Sequence, residues 1–270
     1  MSDIVVHHIN CGTIGGLKTQ GRCLICHCLL LETPRDGLVL VDTGLGLQDF
    51  ADPAKRLGPA FTYFFARPVR DARCAAINRV KELGFSPRDV RNIVMTHLDL
   101  DHVGGLVDFP WAKVHVHATE LEAAMTRPKR LDRERYMPPM FAHHPDFEAY
   151  RESGEKWLGF DAVKGLKGLP DDILMVPLAG HSRGQCGIAV RQGDGALLHA
   201  GDTYFDYREV KQPKRECSPI LEVFEFFNQD NKAVRIANQD RLRTLAAGHR
   251  EVTLMSAHNP FEFPNPAQIA

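Results

Sequence analysis

The sequence predicts an α/β protein made of stacked mixed β-sheets with helices on the outside. Apolar runs of strand length, rich in Val, Ile and Leu and bounded by Gly, Asp or Pro, recur along the 270 residues. Many of these runs follow one another directly, unlike the strict alternation of a Rossmann-type sheet. No internal repeat or low-complexity linker divides the chain, so 1–270 fits a single large domain.

In chain order, residues 4–9, 23–31, 37–41 and 92–96 are expected strands. Residues 113–117, 172–176, 187–191, 196–200 and 252–256 continue the series. Residues 71–84 set Ala75, Ala76, Val80 and Leu83 at helical spacing and stop at Gly84, a suitable C-terminal cap. Residues 238–247 read as a second helix, ended by Gly248. The stretch from about 120 to 169 is rich in Arg, Lys, Pro and aromatics. It is expected to be an insertion of helices and loops over the core, a candidate lid or substrate wall. The aromatic run from Phe224 to Phe227 is a candidate homodimer contact.

Composition narrows the function. Hydrophobic residues make up 44% and charged residues 25%, an ordinary globular mixture. The net charge of −1 lacks the basic excess of a nucleic-acid binder and points to a small-molecule substrate. No apolar run approaches the roughly 20 residues that span a bilayer, and the N-terminus has no signal-peptide pattern. Seven cysteines in no secreted framework suit a reduced, cytoplasmic protein.

The chemistry concentrates in His97-Leu98-Asp99-Leu100-Asp101-His102, directly after an expected strand. In an extended segment alternate side chains point the same way, so His97, Asp99 and Asp101 share a side, with His102 turned toward a neighbouring point. Imidazole and carboxylate together suit zinc, iron or manganese. Gly104-Gly105 then allows the backbone a close approach. Three further candidates, His181, Asp202 and His258, each stand just beyond an apolar strand. Each alone is a weak signal, but sites gather where strand ends meet.

The ordered set Asp42-Thr43-Gly44, His97 to Gly105, Gly180-His181-Ser182, Gly201-Asp202 and Ala257-His258 resembles the metallo-β-lactamase superfamily over nearly the whole chain. Asn10-Cys11-Gly12-Thr13, the run from Leu38 to Gly44 and His258-Asn259-Pro260 look most like its acyl-homoserine-lactonase branch. The resemblance implies an αββα sandwich with two divalent metal ions between the sheet edges. His97, Asp99 and His181 would hold one metal, and Asp101, His102 and His258 the other. Asp202 would bridge them, and Asp42 would orient a ligand. His258 is preferred to His249, which follows a helix end. It further implies a metal-dependent hydrolase in which a metal-bridging hydroxide opens a lactone or cleaves another carboxylic ester, with Asp101 moving the proton. Tyr204 is a candidate donor to the developing oxyanion, although lactonase relatives usually carry that tyrosine one residue later, where this chain has Phe205. The family usually has His at position 99. Zinc is the expected metal, with manganese or iron admitted because Asp99 hardens the site, which keeps an iron-dependent redox enzyme as an alternative. A phosphodiesterase is the third reading.

Other clusters read as structural. Cys23, Cys26 and Cys28, with Cys11 upstream, are expected to pack within a strand, since no second paired cluster follows. His115 and His117 alternate on a strand like one solvent-facing side. His7-His8 and His143-His144 lack ligand spacing to a carboxylate, and residues 127–133 form a basic, solvated helix face.

Overall fold

The computed structural model describes residues 4–151, 155–162 and 165–269. Two mixed sheets form its centre. The first runs β1 (Val5–Thr19), β2 (Arg22–Thr33), β3 (Gly37–Val41), β4 (Val90–Val94), β5 (Lys113–His117) and β6 (Asp146–Tyr150) in spatial order. Its first three strands pair antiparallel and the remainder parallel. A short hairpin joins β7 (Glu155–Trp157) to β8 (Phe160–Ala162). The second sheet orders β12 (Val252–Met255), β11 (Gly195–His199), β10 (Cys186–Gln192) and β9 (Ile173–Pro177), with only β11 and β12 parallel.

Alternation along the strands explains the stacking. Leu29, Leu31, Val39, Val41 and Val94 of the first sheet meet Ile173, Met175, Ile188, Val190 and Leu197 of the second in one buried cluster. After the short helices α1 (Leu47–Ala51) and α2 (Pro53–Leu57) comes α3 (Ala76–Glu82), whose Ala76 and Val80 bury Leu30, Leu40 and Ile93 on the opposite face of the first sheet. The outer face of the second packs Leu174, Ala189 and Leu198 with Leu242 and Leu245 of α8 (Lys232–Gly248). The layers are therefore helix, sheet, sheet, helix. No helix among the described residues is long and apolar enough to cross a membrane.

The strand expectations hold closely, with three differences. The first strand extends to Thr19, because its hairpin with β2 continues past the expected end through two register shifts. His115 and His117 are buried, not solvent-facing: β6 closes over β5, and His115 bonds Tyr150 Oη at 2.8 Å and Asn92 Oδ1 at 2.9 Å. The stretch from 120 to 169 is more than helices and loops. It holds most of α5 (Ala118–Thr126) and all of α6 (Arg130–Arg135), but it also supplies the edge strand β6 and the β7–β8 hairpin. The aromatic run lies on α7 (Pro219–Phe227), which leaves Phe226 and Phe227 exposed while Phe224 packs inward near Phe205.

Candidate metal centre

Four chain segments meet at one end of the sandwich. Residues 97–102 follow β4, with Leu100–Val103 forming a single helical turn (α4) that Asp99 precedes. Asp101 and His102 thus sit on a helix start and not on the extended segment expected from sequence. Gly104 is required just after it: a Cβ there would stand 1.9 Å from Asp49 Oδ2. His181 lies in the turn after β9, Asp202 after β11 and His258 after β12. Gly201 takes a left-handed φ of 55°, and its carbonyl accepts from Ala257 N, which ties the Asp202 and His258 loops together.

All seven side chains named from sequence for the cations come together here. His97, His181 and Asp202 offer ligand atoms within 4.8 Å of one another, as do His102, Asp202 and His258. Asp202 Oδ2 is 3.8 Å from His97 Nε2, 3.6 Å from His181 Nε2 and 3.1 Å from His258 Nε2. Its other oxygen, Oδ1, is 3.4 Å from His102 Nε2. Asp101 Oδ2 stands 3.6 Å from His258 Nε2. Asp99 Oδ2 is 3.0 Å from His181 Nε2 and 3.6 Å from His97 Nε2.

Hydrogen bonding on the far side of each ring decides where its lone pair points. His102 Nδ1 donates to Asp42 Oδ2 at 2.9 Å, and His258 Nδ1 donates to the carbonyl of Ile25 at 2.7 Å. Thr96 Oγ1 donates to Asp42 Oδ2 at 2.7 Å, so it accepts from His97 Nδ1 at 2.9 Å. Three imidazoles therefore give away their Nδ1 protons outward and aim bare Nε2 atoms inward. His102 and His258 confront each other through Nε2 at 3.3 Å, a repulsive arrangement unless a proton or a cation lies between. Two buried atoms of the cluster, His97 Nε2 and Asp202 Oδ1, have no hydrogen-bond partner among the described residues. Bare imidazole nitrogens around a shared carboxylate fit divalent metal ions.

Without a cation the same carboxylates draw protons onto the rings, so a proton and a cation compete for the inward Nε2 positions. Burial would raise Asp202, but His258, His102 and His97 hold it well below the usual carboxylate range. Burial pulls His102 down, yet Asp202 and Asp42 outweigh it and raise the imidazole well above its ordinary value. His181 goes the other way, lowered to about 4 by burial and by Arg135.

Two residues missed by sequence reasoning come from the 120–169 stretch. Arg135 is buried, with Nη1 2.9 Å from Asp99 Oδ2 and Nη2 donating to the carbonyl of Asn228 at 2.7 Å. Burial would raise Asp99, but the guanidinium, with His97 and His181, keeps it well below the usual range. Glu120 is also fully buried. It accepts from Leu98 N and Tyr136 Oη through Oε1, each at 3.0 Å, and from Ser182 Oγ and Gly184 N through Oε2 at 2.7 and 3.0 Å. It thereby fastens the His97 and His181 loops together. Neither residue carries a local signal: an Arg and a Glu on amphipathic helices ordinarily face water.

Tyr204 is not brought to the cluster. Its ring packs in the outer core of the second sheet, and its hydroxyl donates to Glu262 at 3.0 Å. Phe205 occupies the place beside the histidines, stacked on His258 with ring centroids 5.2 Å apart. His249 also stays away, half-exposed and bonded to Glu251.

The family model described as "Metallo-beta-lactamase superfamily" matches residues 21–249. The chain belongs to this superfamily. A Mycobacterium tuberculosis protein named "Probable metallo-hydrolase Rv2300c" is 37% identical over 258 residues, covering 95% of this chain and 81% of that protein. The N-acyl homoserine lactonase AttM of Rhizobium radiobacter is 34% identical over 252 residues, covering 87% and 82%. Among solved structures, a Bacillus thuringiensis AiiA mutant with N-decanoyl-L-homoserine at its active site aligns with a TM-score of 0.67 at 20% identity, over 94% of this chain and 92% of that one. The metallo-β-lactamase fold thus accounts for both sheets, and the cluster lies in the loops that follow four of their strands.

Proposed function

We propose that the protein is a two-metal hydrolase that opens a lactone or cleaves another carboxylic ester of small size. The observation that carries the reading is the inward-facing set of Nε2 atoms around Asp202, whose protons are committed elsewhere. His97 and His181, with Asp99 beside them, would hold one cation; Asp101, His102 and His258 would hold the other; Asp202 would serve both. When bound, such a pair of divalent ions, zinc as in the dizinc quorum-quenching lactonase AidC, supplies Lewis acidity and an activated water at neutral pH.

The chain's own residues do the remainder. Asp42, Thr96 and the Ile25 carbonyl fix the three rings so that no reorganisation accompanies reaction. Asp101, with its side chain 12% exposed, would accept a proton and return it to the departing oxygen. The iron-redox alternative rests on Asp99 as an extra hard donor. Arg135 shares that charge, which removes the reason to prefer it.

The test is a panel of lactones, carboxylic esters and model phosphodiesters offered to metal-loaded protein. Ring opening or ester cleavage is expected, with the phosphodiesters untouched. Turnover of no lactone or ester would sink the reading. In the same assay Tyr204→Phe should keep kcat within a few-fold, because the hydroxyl faces Glu262. Its cost is expected in stability, about 1 kcal/mol for one hydrogen bond, read by denaturant titration.

A further inference from the structure

We propose that Cys26 is an additional ligand of the second cation, an inference that rests on the two-metal reading above. Its sulfur, a carboxylate oxygen of Asp101 and a ring nitrogen of His258 lie within 4.8 Å of one another, so small side-chain adjustments bring them to the roughly 3.3–3.8 Å between tetrahedral donors about 2.0–2.3 Å from one ion. The placement is built into the backbone. Ile25 N donates to the His258 carbonyl at 3.3 Å, His27 N donates to the Ala257 carbonyl at 2.7 Å, and His258 Nδ1 donates to the Ile25 carbonyl. Residue 26 is thus clamped between two main-chain bonds to the very segment that carries His258.

Two further observations leave this sulfur available to an ion. Cys74 Sγ accepts from Arg79 and Cys186 Sγ donates to the Gly184 carbonyl, whereas Cys26 makes no hydrogen bond among the described residues. Independently, His258 also belongs to the group His102, Asp202 and His258, in which Asp202 Oδ1 is buried without a hydrogen-bond partner among the described residues and lies 3.4 Å from His102 Nε2. Binding would transfer the Sγ–H proton to solvent and leave a sulfur lone pair on the cation, with no change of oxidation state. A thiolate there makes the second position softer than its Asp and His donors alone. It favours zinc, cobalt or iron over manganese or magnesium.

Cobalt(II) substitution of the full chain tests this without reference to turnover. The wild type should show visible ligand-field bands and, in addition, a near-ultraviolet sulfur-to-cobalt charge-transfer band. Cys26→Ser should abolish the sulfur band and weaken uptake of one cobalt equivalent at least about tenfold, while Cys28→Ser keeps both. Ligand-field bands without the sulfur band, or a sulfur band that survives in Cys26→Ser, would overturn the assignment and leave the two-metal reading standing. Failure of the wild type to take up cobalt would overturn both. Should Cys26→Ser fail to fold, the wild-type spectrum decides.

Discussion

Replacing Asp202 with alanine is expected to lower kcat/KM on any accepted substrate about a thousandfold, the equivalent of about 4 kcal/mol of lost charge stabilisation. Among the described residues this carboxylate is the one side chain in reach of four imidazoles, with Oδ2 facing His97, His181 and His258 and Oδ1 facing His102. No neighbour can substitute for it. Metal analysis of Asp202→Ala should therefore show a deficit at both positions. A second readout is independent of substrate. Chelation should lower the Tm of the wild type, since a ligand at 100 times its Kd contributes about 2.7 kcal/mol to stability, and should leave the variant's Tm unchanged. Full metal content in Asp202→Ala would contradict the shared-ligand role.

Arg135→Ala is expected to destabilise the metal-free protein by about 3 kcal/mol, the cost of leaving one member of a buried ion pair behind. Asp99 has only 14% side-chain exposure, and its remaining close contacts are His97 and His181. Truncation would leave a carboxylate in a poorly solvated position with a much reduced counter-charge. Metal should restore part of the loss, because the freed carboxylate then becomes a stronger donor beside His97. Denaturant titrations of Arg135→Ala, Asp99→Asn and the double variant, each without and with metal, measure the coupling directly. A double variant whose cost equals the sum of the single costs would show that the pair is not coupled.

The sandwich was legible because its strands are long apolar runs with period-two alternation, and the inter-sheet core of Leu29, Val39, Met175 and Ile188 follows from it. The cluster was legible because its members share a simple rule, one His or Asp just past each of several strands. What escaped had no such regularity. Arg135 and Glu120 become functional only through the path of the chain from 118 to 136 over the site. The exchange of Tyr204 for Phe205 at the histidines turns on a single residue of register, which periodicity does not resolve. Cys26 looked like strand packing because its special neighbour, His258, lies 232 residues further along the chain.

Glu120 has a consequence for how such a protein can change over evolutionary time. One carboxylate grips Leu98 N, Ser182, Gly184 N and Tyr136 at once, so the covering segment and two ion-holding loops are a single mechanical unit. A lineage that reshapes this cover to admit a new molecule also perturbs the affinity for its ions. Selectivity and metal retention are inherited together, and the freer ground for drift is the segment beyond Tyr136.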